Sequence, residues 1–175
     1  MKLVDRVKAI MFTPRTEWPV IEQESGSLSA LYVTYVAILA AIPELANFVG
    51  QSLIGGYMPV ATGLLRAVVV YVVTFAVVYL VGCVIDLLAR RFGGKKNWPN
   101  AFKLSVYSHT PLWLAGIFLL VPGLNFLVIL GGLFGFYLLW TGLPLLMHVP
   151  GDRALIYAVI VTACALIPAI VLSMV

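Results

Sequence analysis

Three features of the sequence predict an all-α polytopic membrane protein: a bundle of five transmembrane helices preceded by a short amphipathic helix. First, 62% of the 175 residues are hydrophobic and only 10% are charged. A soluble domain carries about 25% charged residues, so most of this apolar surface needs the bilayer as its solvent. Second, the apolar residues gather into five stretches of membrane-crossing length, at 28–49, 60–89, 101–121, 126–147 and 154–174. Third, among the connections only alternate ones carry Lys and Arg, which fixes an orientation. Residues 1–26 are read as an N-terminal interfacial segment and residues 27–175 as the transmembrane domain.

The opening residues, MKLVDRVKAIMF, place Leu3, Val4, Val7, Ile10 and Met11 at helical spacing, with Lys2, Asp5, Arg6 and Lys8 between them. This is an amphipathic helix with a basic face. It suits either an anionic membrane surface or the protein's own cytoplasmic face. Lys2, Arg6 and Lys8 are expected to contact anionic lipid, and Trp18 to sit at headgroup level. Thr13-Pro14 stops the helix, because proline disfavours helical geometry in the residue before it. Glu17, Glu22 and Glu24 read as a solvated acidic face. No apolar signal-peptide core precedes the spans, so insertion is expected to rely on the transmembrane helices themselves.

Ser25-Gly26-Ser27 offers a capping serine to the first span. An uncharged linker, Gly50 to Pro59, leads to a second span long enough to tilt or protrude. Gly93-Gly94 ends it inside a loop holding Arg90, Arg91, Lys95 and Lys96. The third stretch carries a polar knot, Tyr107-Ser108-His109-Thr110, followed by Pro111. Pro122-Gly123-Leu124-Asn125 turns the chain into the fourth span, and His148 to Arg153 turns it into the fifth. Lys2, Arg6, Lys8, Arg15, the loop after the second span with Lys103, and Arg153 all fall on one side. The positive-inside rule therefore predicts a cytoplasmic N-terminus and an outside C-terminus.

Ionisable residues within a span cost free energy, which makes each a candidate site. Glu44 and Arg66 lie at matching depths of the first hairpin, either as a structural pair or as an outward-facing polar site. Asp86 has Arg90 four residues on, and His109 and Lys103 on the neighbouring span. The candidate polar membrane site is therefore Glu44, Arg66, Asp86, Tyr107, Ser108 and His109. Pro43, Pro111, Pro144 and Pro168 each remove a helical hydrogen bond, shaping the bundle or opening a cavity. Gly131 and Gly135, widened by Gly132, permit close helix contact within the bundle or between protomers.

No hydrolase, phosphate-loop or dinucleotide motif is present. Ser108 and His109 are adjacent on a helix and point apart, so they make no catalytic dyad. No catalytic residue, cofactor site or metal site is expected. Cys83 and Cys164 read as packing residues without metal-ligand spacing. The chain lacks a basic run with stacking aromatics, which argues against nucleic acid. The expected partners are the lipid bilayer, anionic lipids, and further copies or other membrane proteins.

The segments VDRVKAIMFTPRTEWPVIEQE, RRFGG and YSHTPLWLAGIFLLVPGL, set among five spans, together resemble bacterial members of the Yip family, the Ypt/Rab-interacting five-span membrane proteins. The resemblance covers nearly the whole chain. Its most specific parts are Thr13-Pro14 with Trp18, and Tyr107-Ser108 with Pro111-Leu112. It implies a cytoplasmic N-terminus, location in a bacterial inner membrane, and a role in membrane trafficking or organisation through small GTPases and other family members. The chain lacks the long N-terminal region and Asp-Leu-Tyr-Gly-Pro type motif of the eukaryotic pattern, so GTPase binding is not carried over. Two functions remain: a non-enzymatic membrane scaffold acting through protein and lipid contacts, or a small transporter or channel for an ion, metal or lipid that uses Glu44, Arg66, Asp86 and His109.

Overall fold

The computed structural model describes residues 2–173, with side chains described as far as residue 167. Its elements are helical: α1 (Leu3–Phe12), α2 (Pro14–Gln23), α3 (Leu28–Ile54), α4 (Val60–Phe92), α5 (Trp98–Ser108), α6 (Thr110–Ala115), a 3-10 turn (Gly116–Leu120), α7 (Phe126–Leu146) and α8 (Gly151–Ser173). The helices α3, α4 and α7 are each long and apolar enough to cross a membrane. The third predicted stretch is broken at His109, and the last residue of the fifth, Met174, lies outside the described residues.

Local chemistry explains the boundaries. Thr13 ends α1, and Pro14 opens α2 at the position where its missing N–H costs nothing. Ser27 does not cap α3; its Oγ lies 2.6 Å from the Oγ of Ser29 instead. At 33 residues, α4 extends roughly 50 Å. That exceeds the hydrocarbon thickness of about 30 Å, so the helix protrudes. Its final 3-10 turn, Ala89–Phe92, closes on Gly93 at φ 79°, where a side chain would be strained. Asn97 Oδ1 then accepts the backbone N–H of Asn100 at 3.2 Å and starts α5.

Helix α5 is the centre of the bundle: every residue from Asn100 to Ser108 is buried. It packs against α4 and α7, while α6 packs against α3 and α7. Hydroxyl groups tie the rods to one another. Ser105 Oγ donates to the Val78 carbonyl at 2.7 Å, Tyr32 to Phe75 at 3.0 Å, and Tyr71 to Ala37 at 2.9 Å. Tyr157 donates to the Ile85 carbonyl. Such bonds satisfy backbone and side chain together where water is absent.

Gly131 and Gly135 of α7 pack against the bundle's own backbone. A Cβ at Gly135 would lie 2.6 Å from the Ser108 carbonyl oxygen, and one at Gly131 would lie 2.7 Å from that of Pro111. Only hydrogen lets α7 approach this backbone so closely.

The N-terminal helices depart furthest from expectation. Trp18 is fully buried against Gly142 of α7, with its ring edge-on to Tyr107 at 6.4 Å. Arg6 is also buried; it pairs with Glu17 and Glu24, and its guanidinium carbon lies 5.7 Å from the Tyr107 ring centre. Neither residue is therefore a membrane-surface contact, and Glu17 is not on a solvated face. Lys2 and Lys8 remain exposed. Lys103, also buried, donates to the carbonyls of Ile21 at 2.8 Å and Glu24 at 2.5 Å. A cation there satisfies carbonyls that the end of α2 leaves open.

Candidate functional site

A cavity of about 480 Å³ lies among α3, α4, α5, α6, α7 and α8. Glu44 of α3, Arg66 of α4, and Ser108 and His109 at the break between α5 and α6 all line it. The remaining wall is mostly aliphatic, with Thr74 and Thr162 as further hydroxyl groups.

Each polar group has a local reason for its position. Pro43 and Glu44 line the cavity from a helix that lies close to the 3-10 turn, because Gly116 has no Cβ to strike the Pro43 ring. Pro111 lacks the N–H that would bond the Tyr107 carbonyl, and the helix breaks at His109. His109 Nδ1 lies 2.7 Å from the Ser105 carbonyl oxygen, which can only accept. When the ring is neutral, this contact sets its proton on Nδ1 and leaves Nε2 as the acceptor. Ser108 Oγ donates to the same carbonyl at 3.0 Å.

The cavity unites four of the six predicted site residues. Glu44 and Arg66 share it without ion-pair contact between them. Tyr107 faces away, onto a second cavity of about 470 Å³ lined also by Arg6, Glu24 and Tyr35. Asp86 is in neither: it lies 3.9 Å from Lys96, and it pairs with none of Arg90, His109 and Lys103. The 3-10 turn that begins at Ala89 winds three residues per turn and carries Arg90 off the α-helical i+4 position. Thr74 and Thr162 were missed as lining residues; their signal was a hydroxyl inside an otherwise apolar span.

The description Yip1 domain belongs to a family model that matches residues 8–172, from α1 into α8. The chain belongs to the Yip1 domain family. This Yip1-domain protein is 30% identical over 156 residues to the inner membrane protein YohC of Escherichia coli strain K12, covering 83% of this chain and 80% of that one. YohC of Escherichia coli O6:H1 strain CFT073 matches to the same extent. No solved structure matches. Family, relatives and apolar helices together make it an integral membrane protein of the inner-membrane type. Among the described residues no group of His, Cys, Asp and Glu is arranged to hold a metal ion.

Proposed function

We propose that this Yip1-domain protein is a non-enzymatic, five-span protein of the bacterial inner membrane that organises the membrane through lipid and protein contacts. The observation carrying this reading is the cavity: it is apolar over most of its wall and holds a few separated polar groups. Such a lining suits an amphiphile, whereas an ion pathway needs polar groups along its length to replace hydration. The absence of Asp86 from the cavity breaks the chain of ionisable residues that a transporter would use. Purified protein in proteoliposomes is expected to pass no ion or metal above the empty-vesicle rate. A reproducible flux abolished by His109→Phe would establish the transporter instead.

The same proposal places the N-terminus in the cytoplasm and the C-terminus outside, as the distribution of Lys and Arg supports. It is tested with single cysteines replacing Tyr57, which is exposed in the α3–α4 linker, and Lys95, which is exposed in the basic loop. In a background lacking Cys83 and Cys164, an impermeant thiol reagent should label position 57 in intact cells and reach 95 only after permeabilisation. Equal labelling of the two would defeat the topology.

A further inference from the structure

We infer that the cavity between α4 and α7 is a binding site for one zwitterionic glycerophospholipid, its phosphate on Arg66, its ammonium on Glu44 and an acyl chain along the aliphatic wall. The inference rests on the lipid-contact reading above and names the ligand class. Arg66 and Glu44 border one cavity, and among the described residues neither side chain makes a hydrogen bond or an ion pair within 4.0 Å. Unpaired charges at such a depth need a partner of opposite sign. A guanidinium matches a phosphate through two parallel hydrogen bonds, and a carboxylate accepts from an ammonium.

The geometry excludes simpler occupants. A fatty acid satisfies Arg66 but brings its carboxylate to Glu44. A bare cation satisfies Glu44, is repelled by Arg66, and leaves the apolar wall without contact. A lipid bearing both charges satisfies all three features. Arg66 lies two turns from the start of α4, about 9 Å along its axis, close to the depth of a lipid phosphate. From there Val70, Thr74, Val77 and Val81 recur down one face of α4, opposite Gly132 and Leu139 of α7. The volume falls within the usual range for small-molecule sites. Arg66 and Leu166 are exposed at the rim, so the cleft opens laterally to the membrane.

The test uses the full-length protein, delipidated in detergent and titrated with phosphatidylethanolamine, phosphatidylglycerol and oleate, with bound lipid read by native mass spectrometry. Phosphatidylethanolamine should be retained at least about tenfold better than the other two. Glu44→Gln should remove the preference for ethanolamine over glycerol headgroups, Arg66→Gln should lower retention of both phospholipids, and Asp86→Asn should bind as wild type does. Equal retention of the three lipids by the wild type, or preference for phosphatidylglycerol, overturns the inference. The folded state of each variant is checked by melting. A phosphatidylethanolamine with a diazirine in its acyl chain decides the matter in the wild type without any substitution. Adducts on the Val70–Val81 face and on Gly132 to Leu139 support the site, and adducts confined to outward residues such as Leu65 and Ile129 refute it. Absence of lipid binding together with absence of ion flux would refute this site while leaving the non-transporting reading in place; ion flux would defeat that reading itself.

Discussion

Arg6→Met is expected to destabilise the docked N-terminal hairpin by about 3–5 kcal/mol, because it leaves the buried Glu17 carboxylate without its cation. Arg6 and Glu17 are both buried, whereas the Glu24 side chain is 41% exposed, so the loss falls mainly on Glu17. The double substitution Arg6→Met with Glu17→Met should cost less than Arg6→Met alone, since it removes both charges and keeps the volume. Hydrogen exchange of the α1 and α2 amides measures the opening directly and should accelerate by about a hundredfold or more in the single variant. Strict additivity of the two single effects in the double variant would show that the pair makes no direct contribution.

Trp18→Ala should have an effect of similar size, about 3–5 kcal/mol, through the cavity it leaves beneath α2. The indole is fully buried, and it fills the space that Gly142 leaves open: a Cβ at Gly142 would lie 2.9 Å from the indole ring. α7 contributes that hollow, so its own rod should stay intact while α2 lifts away. Limited trypsin digestion tests this, because Arg15 is exposed beside the docked segment and becomes a better substrate when the hairpin opens. Cleavage after Arg15 at the wild-type rate would mean that Trp18 adds little to docking.

The long helices were legible because length and hydropathy are local properties. So were two of their ends: proline at 14 and the glycine pair at 93–94 act through backbone geometry that needs no tertiary context, whereas Pro111 sits at a break and Pro43 and Pro144 lie inside continuous helices, a difference the proline itself does not reveal. Part of the candidate site was legible as well. Grouping Tyr107 with His109 in one site was the error there, because residues two apart lie about 200° around a helix and face different surroundings. One faces Arg6 and the other faces Glu44 and Arg66. What periodicity could not reveal is the material an apolar stripe meets. Leu3, Val7 and Ile10 would line up identically against lipid or against protein, so the burial of Arg6 and Trp18 was hidden. The Asp86 contact was hidden because it depends on where α-helix tightens to 3-10 helix, a change governed by the turn beyond it. Glu17 and Glu24 gave no sign of pairing because their cation, Arg6, lies on the preceding helix, and the end of α2 is held by Lys103, which lies far along the chain.

That last separation governs the order in which the molecule assembles. Lys103 grips the Ile21 carbonyl across 82 positions of sequence, and Trp18 rests on a glycine of a rod made later still. A ribosome adding about 5–20 residues per second takes on the order of ten seconds to cover such a distance. Throughout that interval the hairpin has been synthesised but lacks the anchors that Lys103 and Gly142 supply. Its closure consequently reports that α5 and α7 have been delivered and brought together. The N-terminus, first to leave the ribosome, is thereby among the last parts to reach its native place, and it serves as a latch that only a finished bundle can shut.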